Sequence, residues 1–255
     1  MSEARKRILI TGASGLIGGV LARGLKDAYD VRGVDRRRRR DVIPVRRANM
    51  RKLRSIEPTF RGADVVVDLA ASPNPNIPWR TVIRNNIPAT LNAFEAARKA
   101  GVKRFIFASS NHVTGLYEND KPYSSIVAGD YSGLEPSGFR RISVDDEVRP
   151  DTPYGIGKVF GEATGRYYAE HHDLSVICLR IGTVNRADAP KDPRHRATLL
   201  TQADLVRLVR CCIEAPADLH YAVFYGVSNN TWRIWDIDDA RKQIGYEPAD
   251  DAGAR

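Results

Sequence analysis

Tyr154 and Lys158 stand four residues apart, so on a helix both side chains leave the same face. A free tyrosine has a pKa near ~10 and is a poor base at neutral pH. A nearby ammonium favours the phenolate and lowers that value. Tyr-x-x-x-Lys is therefore a physically sensible general acid/base pair, although the spacing alone is common. Ser110 adds a hydroxyl that can hold a substrate oxygen during proton transfer. A second group of residues would hold a nucleotide. Gly12, Gly15 and Gly18 recur at spacing three after the apolar run Ile8 to Ile10. Gly12 lets the chain turn, Gly15 leaves room for a pyrophosphate against the backbone, and Gly18 lets the following helix approach the strand. That helix, Leu16 to about Ala28, would offer free N–H groups and a positive dipole end to phosphates. Asp35 ends the next strand, 17 residues after Gly18, where a carboxylate accepts hydrogen bonds from an adenosine ribose.

The elements that must position these groups alternate. Strands are expected over Ile8–Ile10, Asp30–Val34, Val42–Val45, Asp64–Ala71, Arg104–Ala108 and Leu174–Ile181, with a last strand over Tyr221–Tyr225. Helices are expected near 16–28, 51–60, 79–100, 151–172, 201–212 and 235–245, the fourth with Pro153 in its first turn. Six strands alternating with helices imply an α/β fold, a doubly wound parallel Rossmann sheet with its strand C-termini along one crevice. That crevice collects the expected cofactor wall. Ser14, Leu16 and Ile17 come from the glycine turn, and Arg36 follows the ribose acid. Asn49 and Met50 follow the third strand, Asn49 where it could meet an adenine edge. Leu69, Ala70 and Ala71 end the fourth strand, where small residues leave room for a dinucleotide, and Ile181 ends the sixth. Ser72 to Pro78 is a proline-restricted loop. Residues 116–150 show no sustained period, and a stretch this long inside a domain is usually functional or mobile.

The 255 residues suffice for one domain, with 1–172 mainly holding cofactor and a small C-terminal portion, 173–255, contributing the substrate pocket. No apolar run approaches a membrane span, and the polar start leads straight into the first strand, so no signal peptide or membrane partner is expected. Cys178, Cys211 and Cys212 form no pattern and suit buried thiols in a reducing, cytoplasmic setting. Net charge is +9, with arginines consecutive from Arg36 to Arg40. The run reads as a solvated loop. A nucleic-acid patch would want interleaved aromatics, which are absent, so no nucleic-acid partner is expected. Asp35 favours NAD by repelling a 2′-phosphate, while Arg36 keeps NADP open. His112 taken alone is a packing histidine, and the neighbouring Ser110 makes it a site candidate. His171 and His172 lack partners at ligand spacing, so no metal is expected.

Thr11-Gly12-x-x-Gly15-x-x-Gly18, Asp35, Asn86, Ser109-Ser110 and Tyr154-Gly155-x-x-Lys158 together resemble the extended short-chain dehydrogenase/reductase superfamily, the NAD-dependent epimerase/dehydratase type, across nearly the whole chain. The resemblance implies that Tyr154 is the catalytic base and Ser110 its substrate-oxygen partner. Lys158 would bind the nicotinamide ribose and depress the tyrosine pKa, and Asn86 would belong to the helix behind the site. Phe107 to His112, Pro153 to Glu162, Arg180 to Thr183, Tyr225-Gly226-x-Ser228 and Trp235-Asp236 resemble the uronate dehydrogenase group. In that group NAD oxidises the anomeric carbon of a hexuronic acid by hydride transfer, giving an aldarolactone. By position, Ser72, Asn111, His112 and Thr183 would contact substrate, with Arg194 pairing with its carboxylate. Two departures stand out: Pro73 replaces a substrate-contacting serine, and 116–150 is longer than in that group. A related branch oxidises glucose 6-phosphate, and Arg140, Arg141, Arg194 and Arg196 would suit a phosphate. Only 97 residues follow Lys158, little for a nucleotide-sugar cap. A nucleotide-sugar epimerase or dehydratase and a non-catalytic NAD(P)-binding regulator are the alternatives. The superfamily resemblance also implies a homodimer through the helices at 79–100 and 151–172.

Overall fold

The computed structural model describes residues 5–37 and 42–253. Arg38, Arg39 and Arg40 of the arginine run lie outside the described residues. Among the described residues seven strands form one all-parallel sheet, the six of the alternation and the last strand expected at Tyr221–Tyr225. They are β1 (Arg7–Thr11), β2 (Asp30–Asp35), β3 (Val45–Arg47), β4 (Val65–Asp68), β5 (Arg104–Ser110), β6 (Ser175–Ile181) and β7 (Tyr221–Gly226). The order is β3-β2-β1-β4-β5-β6-β7, so the chain reverses its direction of travel between β1 and β4. Ligands of such sheets bind outside the strand C-termini at that switch.

The continuous apolar runs of the central strands follow from burial on both faces. Ile8 and Ile10 of β1, with Val65 and Val67 of β4, pack under α1 (Leu16–Leu25) and α8 (Gln202–Glu214). Leu9, Val66, Phe105 and Phe107 face the opposite layer of α2 (Leu53–Phe60), α4 (Ile87–Lys99) and α6 (Pro153–His171). There Phe94 stacks on Phe105 at 4.2 Å and on Tyr168 at 5.3 Å.

Several boundaries differ from expectation. The third strand is Val45–Arg47, not Val42–Val45. Pro44 accepts from Gly33 N (2.8 Å) and leads into an edge strand whose side chains need not be apolar. The helix expected over 79–100 is one helical path in three parts: α3 (Trp79–Thr81), a π-helical segment Val82–Asn86, and α4. Pro88 lies at the start of α4, and its missing N–H and ring displace the normal ladder. Trp79, Ile83 and Leu91 along this path, and Ile156 and Tyr167 on α6, are exposed.

The segment 116–150 is ordered. It holds a 3-10 turn, Gly115–Asn119, and α5 (Tyr123–Ala128), both too short to show a period in sequence. Ile142 pairs with the Trp235 strand segment, accepting from Asp236 N (2.9 Å) and donating to Ile234 O (2.8 Å). Tyr123, Ile126, Ile142, Tyr225 and Trp235 build a third core, so this segment and the C-terminal part of the chain pack together as one cap. Trp235 lies in that pairing, and the last helix, α9 (Asp238–Ile244), starts after it. Between β6 and α8 lies α7 (Pro193–Thr198), capped by the Asp192 side chain.

Candidate active site

A cleft of about 690 Å³ opens over the β1/β4 switch point, and the candidate residues named from the sequence line it, apart from three of the arginines considered for a phosphate. At one end stands the glycine turn. Gly12 has φ of +65°, and a Cβ there would sit 3.1 Å from the Leu69 carbonyl. A Cβ on Gly18 would sit 2.5 Å from Gly12 O and 2.7 Å from Ala13 Cα, both backbone atoms that cannot move aside. α1 begins at Leu16 with no side chain capping its first N–H groups, which leaves them to a ligand. Ser14, Gly15, Leu16 and Ile17 form the rim of that helix start.

Asp35 is fixed toward the cleft, accepting from Ser14 N (3.1 Å) and Arg37 N (2.9 Å). Arg36, Asn49 and Met50 continue this wall, and Asn49 Oδ1 accepts from Arg51 N at 3.1 Å. Thr11 joins the two halves. Its hydroxyl donates to Asp68 and accepts from Leu69 N and Ala70 N, both at 3.1 Å. These bonds present Leu69, Ala70 and Ala71 as a small-residue floor. Asn86, buried in the π-helical segment, accepts from Ser72 N at 2.8 Å and so holds the loop after β4. The cradle, the free helix start and the fixed carboxylate fit a dinucleotide.

The candidate proton-transfer group lies deeper. Ser110 ends β5, while Tyr154 and Lys158 stand one turn apart in α6, whose N-cap Thr152 accepts from Gly155 N. All three are buried. Burial pushes the Tyr154 phenol up, and the hydrogen bond with Ser110 only partly offsets it. The ammonium was expected to lower this value. Instead Lys158 Nζ donates to Ala108 O at 2.6 Å and lies 5.5 Å from the Tyr154 ring centre. Burial draws Lys158 down to about 8, partly offset by the charge of Asp68. Burial likewise raises Asp68 to about 6, against the pull of Thr11 and Lys158. Asp68 was missed in sequence, although a carboxylate closing a run of buried valines is a visible signal.

The far end is polar. Asn111 accepts from Ser110 Oγ (3.2 Å), and His112 Nδ1 lies 2.8 Å from Asp151. Burial opposes the Asp151 charge, but His112 more than offsets this and holds the carboxyl below its ordinary range. Thr183 meets Thr198 Oγ1 at 2.9 Å and accepts from Arg194 Nη1 at 3.3 Å. The other nitrogens of Arg194 are engaged by Glu118, through Nε (2.6 Å) and Nη2 (2.7 Å). Three arginines considered for a phosphate are not on the cleft. Arg140 pairs with Asp146, Arg141 donates to the carbonyls of Arg233 and Pro136, and Arg196 is exposed on α7. Among the described residues no group of histidines, cysteines and acids could hold a metal, and no helix is long and apolar enough to cross a membrane.

The model of the NAD dependent epimerase/dehydratase family matches residues 8–204. The chain belongs to this family. Its cofactor is NAD, and it is an enzyme of the extended short-chain dehydrogenase type. An NAD-dependent glucose-6-phosphate dehydrogenase from Haloferax volcanii is 37% identical, covering 96% of this chain and 94% of that protein. An L-arabinose 1-dehydrogenase (NAD(P)(+)) from the same organism is 34% identical, over 96% and 97%. Among solved structures, a variant of uronate dehydrogenase from Agrobacterium tumefaciens in complex with NAD superposes with a TM-score of 0.82. It is 27% identical and covers 98% of this chain and 87% of that one.

Within this family member the glycine turn offers a direct test of the cofactor end. Gly18→Ala should weaken NAD binding at least about tenfold, because the added methyl meets backbone on two sides and must move the phosphate turn. Titration of NAD against intrinsic fluorescence checks it. An unchanged affinity would mean that the turn does not carry the pyrophosphate.

Proposed function

We propose that the protein oxidises the anomeric C1 hydroxyl of a monosaccharide. The observation that carries this is the buried Ser110, Tyr154 and Lys158 set with Asn111, His112 and Thr183 beyond it along one cleft. Ser110 Oγ holds the C1 oxygen, and Tyr154 Oη takes its proton as the C–O bond becomes a carbonyl, leaving a lactone. Bound NAD supplies the acceptor for the C1 hydrogen and its electron pair. Lys158 is poised to bind the ribose next to the tyrosine, where its charge lowers the cost of forming phenolate. The rigid β5 end and first turns of α6 hold the reacting groups in place, which supplies much of the rate. Within this class the resemblance favours a uronate. The relative at 37% identity favours a sugar phosphate as the second reading. Both readings would need the Arg194 fork for the anion.

The test is NADH formation from aldoses together with release of the lactone or its aldonic acid in equal amount. Turnover should rise with pH through neutrality, because burial keeps Tyr154 protonated and its base form scarce. The rise should level off above about 8, where Lys158 sheds its proton. A falling profile across that window would remove Tyr154 as the base. NADH formation from none of the aldoses would remove the reaction.

A further inference from the structure

Arg194 is placed where a guanidinium could grip an anion, yet its fork is already filled from within the chain. Glu118, from the 3-10 turn Gly115–Asn119, takes Nε and Nη2 at 2.6 and 2.7 Å, a two-point contact of the kind a bound carboxylate or phosphate would make. The remaining Nη1 is turned to the Thr183 hydroxyl. The pair is sheltered: the Arg194 side chain is 31% exposed and that of Glu118 16%. Burial opposes the guanidinium, but Glu118 more than offsets this and holds it above its ordinary value, with Asp151 and Asp192 adding further negative field.

An anionic substrate has two options here, both poor. It can evict Glu118, whose charge then lies unpaired behind Arg194, or it can sit next to an intact pair that offers no free donor fork. Like charges held close in a sheltered site are strongly unfavourable. Of the other polar groups at this end, Asn85, Asn111, Ser72 and Thr183 line the cleft and suit hydroxyls, and His112 is already paired with Asp151 at 2.8 Å.

We propose that Glu118 determines specificity in this cleft: by occupying Arg194 it excludes uronates and sugar phosphates and selects neutral aldoses. The proposal rests on the reading of the cleft as a C1 dehydrogenase site.

Matched sugars that differ only at C6 decide the matter. The full chain with NAD is assayed on D-galactose against D-galacturonate, and on D-glucose against D-glucuronate and glucose 6-phosphate, with L-arabinose as a sugar lacking that carbon. The expected result is a kcat/KM for each neutral sugar at least about tenfold above its anionic counterpart. Glu118→Gln keeps the shape and removes the charge. It should raise the galacturonate-to-galactose ratio of kcat/KM by about tenfold or more, mainly through KM. A merely structural role would lower both sugars alike and leave the ratio fixed. Preference of the unaltered chain for galacturonate or glucose 6-phosphate over the neutral partner overturns the proposal, as does an unmoved ratio in a folded Glu118→Gln. If the variant does not fold, the ranking by the unaltered chain decides alone. Turnover of none of these sugars, with NAD still bound, overturns the C1 dehydrogenase reading itself and this proposal with it.

Discussion

Tyr154→Phe should lower kcat by at least about a hundredfold while leaving NAD affinity little changed. The phenylalanine ring fills the same buried space beside His112, whose ring meets Tyr154 edge-on with centres 6.0 Å apart. What disappears is the oxygen proposed to receive the C1 hydroxyl proton. The nearby groups are engaged elsewhere: His112 Nδ1 is held by Asp151 at 2.8 Å. Lys158 is turned to Ala108 O, and the Ser110 hydroxyl is a much weaker base than a phenolate. Initial rates with saturating NAD, beside a fluorescence titration of the cofactor, separate chemistry from binding. A rate within about tenfold of the unaltered enzyme would assign the base elsewhere, since general base catalysis commonly contributes more than that.

Glu162→Ala should destabilise the fold by roughly 3–5 kcal/mol, because it leaves a buried guanidinium without its counter-charge. Glu162 on α6 accepts from Arg180 Nε and Nη2 at 3.1 and 3.0 Å and from Ser109 Oγ at 2.6 Å. Arg180 and Ser109 are each 3% exposed. Burial pulls Arg180 down, and Glu162 more than offsets it and holds the guanidinium well above its ordinary value. The group ties β5, β6 and α6 together one residue from Ser110 and one turn from Lys158, so the reacting side chains stand on its rigidity. For a chain of this size the loss corresponds to a melting midpoint lower by roughly 10 °C or more. Thermal unfolding followed by circular dichroism reads it. Replacing both partners, Glu162→Leu with Arg180→Met, should recover much of the loss, since an apolar pair leaves no buried charge behind. A midpoint within about 2 °C in Glu162→Ala would mean that Arg180 finds other partners, Tyr225 and the Val144 carbonyl being nearest.

The cofactor half of the cleft was legible because its signals are local. Ile8 to Ile10, the glycines at spacing three and the apolar face of α1 dictate strand, turn and helix within a dozen or so residues. Asp35 needs only one further strand to reach the same crevice. Tyr154 and Lys158 share a face because a helix repeats that way, whatever surrounds it. The cap was not legible. Its pieces are a six-residue helix, a short turn and a single bridge between Ile142 and Trp235, and none of these is long enough to impose a period. Their order comes from a shared core with residues about a hundred positions away.

Family and fold class, with Ser110, Tyr154 and Lys158 as candidates, were thus legible in the sequence alone, because backbone geometry and hydrophobic period act over short range. The state of those side chains was decided only by tertiary structure. Arg194 and Glu118 lie 76 positions apart, His112 and Asp151 lie 39 apart, and Asp68 and Lys158 feel each other's charge from separate elements. Electrostatics acts through space over a few ångströms. Whether an arginine at the substrate end is free or already paired is therefore a property of the folded chain, not of its motif.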